Sequence, residues 1–451
     1  MNLWRSTRKW PIFILAVLAL TALHFQISPV RLCSPTKQGV ALRLRSKAPT
    51  TETRIDVARE ELPIEVLEHG LQGRIHQEPA YATWNECIIL VGGVNYTRAQ
   101  GAAVLRTGPV TQFAKEGSWG SRKVTIFNMK NRTVRSGPDT PIINNHAMGA
   151  MSPDGRMYAL MSQFYLLRSE NASENGVLHH YVWDFAGGGT SWEKRASLSN
   201  ITGAGRCEFV HNLMYCFGGS LGAGMATVDT LNIYNPRTDT WTRGASMPEE
   251  LDHSASVVYD NRIWSTSGRY HVNHKPGTAE AFPKAPSSAA SLVYDPSRDS
   301  WARVEPLPYR RNAAVATVVR RPGRKATLLA AGGQIFAGIR AGIIFSMLEE
   351  YDFEEEDWFC HATHLPQGVF GAAVGVFDNK VYIVGGADGY HISGTDSVMI
   401  IDINALGEPM PCLYDETSRP DWWTDYRAGN MANYPYAKHL LSDKPAPLTS
   451  V

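Results

Sequence analysis

The feature that most constrains the fold of this chain is an aromatic motif that recurs along its central part. In residues 213–241, an apolar run ends in a glycine pair, and a second apolar run ends in a turn and a tryptophan. The tryptophan stands seven residues after a tyrosine in three copies, which are Tyr234 with Trp241, Tyr294 with Trp301, and Tyr351 with Trp358. A related pair, Trp183 with Trp192, has a spacing of nine. Short strands that recur with a period of about 50 residues are typical of a propeller array.

Each part of the motif has a physical role. A glycine lets a neighbouring strand or ring approach the backbone closely. The Tyr-Asp-Pro or Tyr-Asn-Pro segment ends a strand and sets a turn, because Asp or Asn bonds its own backbone and Pro fixes φ. The tryptophan lies on the next strand, where we expect it to pack between blades.

Over roughly residues 80–405, the combination of glycine pair, turn and tryptophan resembles the kelch repeat. The resemblance implies an all-β fold, a kelch-type β-propeller built from four-stranded blades. Laying the motifs end to end predicts six blades, although blade two lacks the glycine pair and blades one and six lack the tryptophan. The predicted blade centres are Gly92-Gly93, Ser162-Gln163, Gly218-Gly219, Ser267-Gly268, Gly332-Gly333 and Gly385-Gly386.

Charge and composition exclude one class of partner. The formal net charge is +1 over 451 residues, so nothing indicates a nucleic-acid-binding surface, and we expect no nucleic acid among the partners. Charged residues make up only 19% of the chain, which also holds 39 Gly and 12 Trp. This composition fits a β-rich and turn-rich protein.

The N-terminal region predicts attachment to a membrane. Residues 10–27 are mostly apolar and follow basic residues, so they form either a short transmembrane signal-anchor or a secretory signal peptide. The lack of an obvious cleavage pattern favours an uncleaved anchor, and a cytosolic propeller with a buried N-terminal helix is the alternative. The predicted segments are a cytosolic N-terminus at 1–9, the anchor at 10–27, a stem at 28–60, the propeller at 61–405 and a tail packed on it at 406–451. Residues 61–80 are expected to lend a strand that closes the ring.

Four N-glycosylation sequons favour a propeller in the lumen of the ER or Golgi or at the cell surface. All four fall where the repeat places loops or turns, as glycosylation requires. The acceptor residues are Asn95, Asn131, Asn171 and Asn200. The sequence therefore predicts a single-pass membrane glycoprotein, with secretion after cleavage as the alternative.

The cysteines predict a disulfide in one hairpin. Cys207 and Cys216 flank a turn at His211-Asn212, and counting outwards from that turn pairs the two cysteines across the hairpin. An oxidising lumen favours a disulfide there, and two buried thiols are the alternative. Cys412 in the tail is a candidate to tether it to the ring through Cys87 or Cys360.

Candidate ligand-binding residues come from two classes of loop. In propellers, the loops between blades and the loops between the second and third strands emerge on one face, and the resemblance implies that partners bind there. Arg206 and Arg311 stand where related propellers present arginines to a ligand carboxylate. Converging Arg, His and Tyr groups suit a small acidic or hydroxylated ligand or a peptide, although such residues also commonly satisfy backbone carbonyls at blade junctions. The candidates are His146, Arg206, His253, Tyr270, His271, Arg311, Tyr390 and His391.

A metal site receives no support from the spacing of these residues. Four of the candidates are histidines, but nothing in the sequence places them around one ion, and no Cys/His cluster indicates zinc. We therefore predict no metal and no other cofactor.

Three functions remain open from the sequence. The first is a membrane-tethered binding module for a protein, a glycan or a small ligand. The alternative is a propeller enzyme of the isomerase, mutarotase or cyclase type, which would act on a small metabolite through groups such as Arg206, Arg311 and His253. Related propellers include a sialic acid mutarotase and copper-radical oxidases, but the full oxidase constellation is absent, and catalytic residues stay unknown. The third is a structural subunit of a lumenal assembly.

Overall fold

A computed structural model of the chain describes residues 63–97, 99–101, 120–161, 177–199, 203–221, 226–270, 287–336, 342–389 and 393–412. These residues form six antiparallel sheets, each built on four strands in up-and-down order, which are the blades of an all-β propeller. The first strands of neighbouring blades contact each other around the axis. The predicted fold class and the predicted number of blades are confirmed.

Strand β1 (Ile64–Leu67) comes first in the described chain, and blades one to three follow it. Blade one contains β2 (Ala80–Trp84), β3 (Cys87–Val91), β4 (Val124–Asn128) and β5 (Val134–Ser136). Blade two contains β6 (Met148–Met151), β7 (Arg156–Met161), β8 (Val177–Asp184) and β9 (Trp192–Lys194), with β10 (Leu198–Ser199) also paired to β8. Blade three contains β11 (Arg206–Val210), β12 (Leu213–Phe217), β15 (Leu231–Asn235) and β16 (Thr240–Arg243), and a small hairpin of β13 (Ser220–Leu221) and β14 (Ala226–Thr227) interrupts it.

Blades four to six repeat the pattern. Blade four contains β17 (Ala255–Tyr259), β18 (Arg262–Thr266), β19 (Ser291–Asp295) and β20 (Ser300–Val304). Blade five contains β21 (Val315–Arg320), β22 (Ala326–Ala331), β25 (Leu348–Asp352), β26 (Asp357–Cys360) and β30 (Met410–Pro411), with the hairpin β23 (Gln334–Phe336) and β24 (Gly342–Ile344). Blade six contains β27 (Ala373–Phe377), β28 (Lys380–Val384) and β29 (Val398–Asp402).

The ring closes because blade six takes its outermost strand from the start of the propeller. Strand β1 pairs antiparallel with β29, with Ile64 opposite Ile401 and Leu67 opposite Val398. This confirms the expectation that residues 61–80 lend a strand to the ring. At the other end, residues 410–411 of the predicted tail pair with β26 of blade five.

The N-terminal prediction falls outside the described residues, which do not include the anchor at 10–27 or the stem at 28–60. Within the described part of the chain, no helix has both the length and the apolar character needed to cross a membrane. The two cysteine predictions, in contrast, fall inside it. Cys207 and Cys216 face each other in the β11–β12 register and form a disulfide, and Cys412 is joined to Cys360 rather than to Cys87.

The tryptophan of each motif joins its blade to the one before. Tyr234 and Trp241 lie opposite each other on β15 and β16, with ring centroids 4.9 Å apart. The indole Nε1 of Trp241 donates a hydrogen bond to the carbonyl oxygen of Ala196 in blade two, at 2.7 Å. The other motif tryptophans, Trp192, Trp301 and Trp358, donate in the same way to Pro138, Ala245 and Glu305. The prediction that these tryptophans pack between blades is confirmed.

The motif tyrosine strengthens this junction through an aspartate five residues later. The hydroxyl of Tyr294 donates to Asp299 Oδ1 at 2.7 Å, and the same oxygen accepts the backbone N–H of Ala245 at 2.8 Å. Ala245 in blade three is therefore held at its N–H by Asp299 and at its carbonyl by Trp301. Blade five departs from this pattern, because Glu356 replaces the aspartate. There the buried hydroxyl of Tyr351 has no hydrogen-bond partner among the described residues.

The glycine pairs mark places where two blades approach each other. Gly218 has φ of 62°, and a Cβ atom there would lie 2.4 Å from the carbonyl oxygen of Leu251, in the segment that leads into blade four. Blade four has Ser267 at the equivalent position, with a similar φ of 62°. The left-handed backbone is therefore common to both, and the close approach explains why glycine is used at position 218.

The two tyrosines give a matched test of the blade junction. Tyr294→Phe removes a hydrogen bond to the carboxylate oxygen that also holds the N–H of Ala245, so we expect it to destabilise the propeller by about 1 kcal/mol. Tyr351→Phe removes a buried hydroxyl that makes no such bond, so we expect its thermal unfolding temperature to equal or exceed that of the wild type. Circular dichroism melts of the two variants check this, and equal losses in both would contradict the junction described here.

Candidate functional site

The first strands of the six blades surround a channel of about 360 Å³ on the propeller axis. Most of its lining is small, with alanine or glycine contributed by several blades. The polar side chains along it are Tyr81, Thr83, Arg206, Glu208, Ser256 and Thr317. The channel wall thus consists mostly of small or apolar residues, and its polar side chains come from a few of the first strands.

Arg206 and Glu208 on β11 provide the charges of the channel. The guanidinium of Arg206 lies 5.6 Å from the centre of the Tyr81 ring, and its Nε donates to the carbonyl oxygen of Ser254 at 2.5 Å. Among the described residues, no other group accepts a hydrogen bond from this guanidinium. Glu208 accepts a hydrogen bond from Ser256 Oγ at 2.7 Å. Burial raises the pKa of Glu208 above its ordinary value, although Ser256 and Arg206 oppose the shift.

A ring of six equivalent residues bounds a small cavity that adjoins the channel. Each ring residue stands two positions before the first strand of its blade and has φ between 52° and 61°. The backbone N–H of five of them donates to the carbonyl oxygen of the equivalent residue in the preceding blade, at 2.7 or 2.8 Å. The ring residues are Glu78, His146, Ala204, His253, Ala313 and Gly371, and the cavity within them measures about 30 Å³.

Isolated β-bridges show that this ring lies on the loop-bearing face. In blade three, Gly203 precedes the ring residue and bridges Ser220, which follows the glycine pair. Asn312 bridges Gln334 in blade five in the same way, and blades one, four and six repeat this bridge. Loops between blades therefore lie beside the loops that join second and third strands, which confirms the expectation that both emerge on one face.

Three of the ring side chains meet across the axis. His146 Nε2 lies 2.5 Å from Glu78 Oε2, and His253 Nε2 lies 3.5 Å from Glu78 Oε1. The two imidazole rings have centroids 5.1 Å apart and are inclined by 77°. Gly371 completes the ring beside them, and a Cβ atom on it would lie 2.4 Å from Glu78 Cγ. Because residue 371 has no side chain, the side chain of Glu78 can occupy this space.

A second layer of polar groups holds the two histidines. Asn145 Oδ1 lies 3.1 Å from His146 Nδ1, and Asp252 Oδ1 lies 2.8 Å from His253 Nδ1. Asp252 is itself fully buried and is fixed by Arg269 Nε at 2.8 Å and by Ser220 Oγ at 2.7 Å. These contacts leave the Nε2 atoms of both histidines directed at Glu78.

The electrostatics of the cluster favour an ionised Glu78 and a neutral His253. Burial by itself raises the pKa of Glu78, but the adjacent His146 and His253, together with Arg269, outweigh it and lower this pKa to about 2. Burial and the nearby charge of Arg269 lower the pKa of His253, against the opposing influence of Asp252 and Glu78. A buried carboxylate between two imidazoles in a cavity is an arrangement that can transfer protons or hold a cation.

The structure brings three of the eight predicted ligand-binding residues together. His146, Arg206 and His253 all border the small cavity. Tyr270 lies instead on the loop face of blade four and is exposed. Arg311 is fully buried, where Nη1 donates to Glu349 Oε1 at 2.8 Å and Nη2 donates to the other carboxylate oxygen, so its charge is neutralised within blade five. His271, Tyr390 and His391 lie outside the described residues.

The glycosylation predictions divide in the same manner. Asn95 and Asn131 are exposed, as an acceptor residue must be. Asn171 and Asn200 lie outside the described residues. Glycosylation at Asn95 and Asn131 therefore stays a prediction with accessible acceptor residues.

Sequence reasoning missed Glu78, the residue that unites the cluster. It precedes the first recognised blade, so no motif copy drew attention to it. A positional signal was nevertheless present, because Glu78 stands 14 residues before Gly92, just as Ala204 precedes Gly218 and Gly371 precedes Gly385. Counting back from the glycine pairs would have aligned Glu78 with the histidine of blade four, His253, which stands 14 residues before Ser267.

Comparison with known proteins agrees with the repeat. The Kelch motif matches residues 206–248, which cover the four strands of blade three. The Kelch-like protein terF of Aspergillus terreus is 29% identical over 210 residues, 43% of each chain. The Kelch repeat protein M-T8 of Myxoma virus is 23% identical over 199 residues, 44% of this chain and 34% of the viral protein. Human Kelch-like protein 34 is 26% identical over 270 residues, 58% of this chain and 37% of the human one.

One solved structure has a similar fold. The structure described as "Structure of YjhT" superposes with a TM-score of 0.51 and 14% identity, covering 72% of this chain and 94% of that chain, which shows the fold alone. This chain spans less than half the length of the curated relatives named above. The motif, the relatives and the six-bladed ring together support a kelch propeller.

Proposed function

We propose that this protein is a binding module whose central channel receives a small ligand carrying a carboxylate and hydroxyl groups. Arg206 is the observation that carries the proposal. Its guanidinium faces the channel with one acceptor among the described residues, and a guanidinium can bind a carboxylate through two parallel hydrogen bonds. Glu208 and Ser256 stand on adjacent first strands, where they can bind hydroxyl groups.

The size and rigidity of the channel support the same proposal. Its volume of about 360 Å³ falls within the range of about 300–1,000 Å³ that is usual for small-ligand pockets. The walls are first strands of six blades, which are fixed on both sides by neighbouring blades, so little ordering is needed on binding. A peptide or glycan terminus of this size and chemistry would fit as well as a free metabolite.

Substitution of one arginine inside the channel and one outside it tests whether the channel binds a ligand. A panel of sugar acids and hydroxy acids is screened by thermal shift on the purified protein, and hits are measured by calorimetry. We expect Arg206→Met to weaken binding of a hit by about 10-fold to 100-fold, because charge-assisted hydrogen bonds are lost. The control is Arg262→Met on β18, whose side chain pairs with Asp295 and does not line the channel. The proposal is wrong if no panel member binds, or if Arg206→Met binds as tightly as the control.

A partner protein on the loop face is the second candidate function. The described residues include four exposed large hydrophobic side chains. Three of them, Ile143, Tyr270 and Ile343, lie in connections on the loop-bearing face, and Ile343 is 54% exposed. Exposed apolar groups on this face are available to contact another protein. The kelch relatives lend support, since propellers of this type commonly serve as protein-binding modules.

Surface variants distinguish partner binding on the loop face from ligand binding in the channel. A triple variant, Ile143→Ser with Tyr270→Ser and Ile343→Ser, should lose a partner that co-purifies with the wild type. Met410→Ser is the matched control, because Met410 is equally apolar and 53% exposed but lies on the outer edge of blade five. Quantitative mass spectrometry of the co-purified proteins gives the comparison. Retention of every wild-type partner by the triple variant would argue against the loop face.

We further propose that the propeller faces a lumen or the outside of the cell and is tethered through residues 10–27. Two features support this location. The sequons at Asn95 and Asn131 are exposed, and the described residues contain two disulfides, which persist in oxidising compartments.

Electrophoretic mobility after glycosidase treatment, together with carbonate extraction, tests whether the propeller is lumenal and tethered. Removal of N-glycans should increase the mobility of the full-length protein, and Asn95→Gln and Asn131→Gln should each reduce the shift by one step. Carbonate extraction of membranes should leave the protein in the pellet. An unchanged mobility after glycosidase treatment would contradict a lumenal propeller, and release by carbonate would contradict the tether.

A further inference from the structure

The cluster of Glu78, His146 and His253 has the geometry of an ion-binding site. One donor atom from each residue lies within 4.8 Å of the other two. Around a tetrahedral Zn²⁺ ion, with bonds of about 2.0–2.2 Å, donor atoms lie about 3.3 Å apart. The two contacts to Glu78, at 2.5 and 3.5 Å, bracket that separation. We propose that these three residues bind one divalent transition-metal ion, such as Zn²⁺, on the propeller axis.

The second layer of contacts prepares both histidines to be ligands. Asp252 is held as a carboxylate by Arg269, so it can only accept, and the proton between it and His253 must therefore reside on His253 Nδ1. Asn145 Oδ1 is likewise an acceptor and faces His146 Nδ1. Metal-binding histidines characteristically donate one ring N–H to such a partner, which fixes the tautomer and leaves the other nitrogen free to bind the metal. Here that other nitrogen is Nε2, which faces Glu78 in both residues.

The donor atoms at this place suit a divalent cation. The Nε2 atoms of His146 and His253 and the carboxylate of Glu78 converge on one point of the axis. A metal ion that binds there replaces any proton held between these atoms. A divalent ion satisfies all three at once, and two imidazoles with one carboxylate form a donor set that zinc and other first-row metals accept.

The space beside the three residues is consistent with a built site. The adjoining cavity of about 30 Å³ is bordered by the small Ala204 and Ala313, and it exceeds the ~10–15 Å³ that one water molecule needs. A bound ion would therefore keep an open position for water or for a ligand group from the channel.

The sequence alone predicted no metal because it did not reveal Glu78 as the third donor. The histidines were visible as candidates, but they come from blades two and four, and no pattern in the sequence identified a third donor that meets both of them. Ring closure supplies that donor from the segment before blade one. The inference goes beyond the proposed binding function and does not depend on the channel ligand.

Zinc titration of the full-length protein tests the site. The protein is prepared without a polyhistidine tag, stripped with a chelator and titrated with ZnCl₂ by isothermal calorimetry. We expect one Zn²⁺ per chain and a higher unfolding temperature when zinc is present. Glu78→Gln and His253→Gln, which keep the side-chain size approximately, should each weaken the affinity by at least about 100-fold. His211→Gln, at the exposed β11–β12 turn, is the matched control and should bind like the wild type.

The result that overturns the proposal is the absence of saturable 1:1 zinc binding, or an equal affinity in the folded Glu78→Gln variant and the wild type. If the variants fail to fold, Co²⁺ added to the wild type replaces them as the test. Visible absorption bands of four- or five-coordinate Co²⁺ that Zn²⁺ abolishes support the site, and a spectrum unchanged from aqueous Co²⁺ rejects it. Arg206→Met, designed to lose the channel ligand, should keep its zinc, so that failure of one proposal can be told from failure of the other.

Discussion

Backbone hydrogen bonds between equivalent residues of neighbouring blades hold the propeller together at its axis. Each links the N–H of one ring residue to the carbonyl of the ring residue before it, and the bond from Glu78 to Gly371 joins the first blade to the last. The left-handed conformation that this requires costs about 1–3 kcal/mol for each larger residue. Such strain is tolerated because the surrounding blades over-determine the backbone, through the tryptophan junctions at their outer side and the closing strand β1.

The same ring determines which residues lie on the propeller axis. Since every blade must place one residue there, six residues from distant parts of the sequence border one small cavity. Three of the six positions carry alanine or glycine, which leaves room, and the other three carry Glu78, His146 and His253. The polar cluster and the arginine of the channel are therefore neighbours, because Arg206 follows the ring residue Ala204 by two positions. The two proposals, small-ligand binding in the channel and metal binding at the ring, therefore concern the same axis.

Local patterns made much of this fold predictable. The Tyr-to-Trp spacing follows from two residues that face each other across a hairpin, and the Cys207–Cys216 pair follows from the same kind of counting. The site was less accessible, because it depends on ring closure. Glu78 lies before the first motif copy, and only its distance from Gly92 marks it. Arg311 shows the opposite case, since a position suited to a ligand contact is occupied by a buried pair with Glu349, a partner 38 residues away that no local pattern reveals.

The central claim is that the function of this propeller resides on its axis. A high-resolution crystal structure of the protein purified from its native source, without added ligand or metal, tests it most directly. The account predicts electron density that water cannot explain on the axis, beside Arg206 or among Glu78, His146 and His253. Density for water alone along the whole axis, together with a bound partner on the loops, would contradict the account and move the function to the outer face.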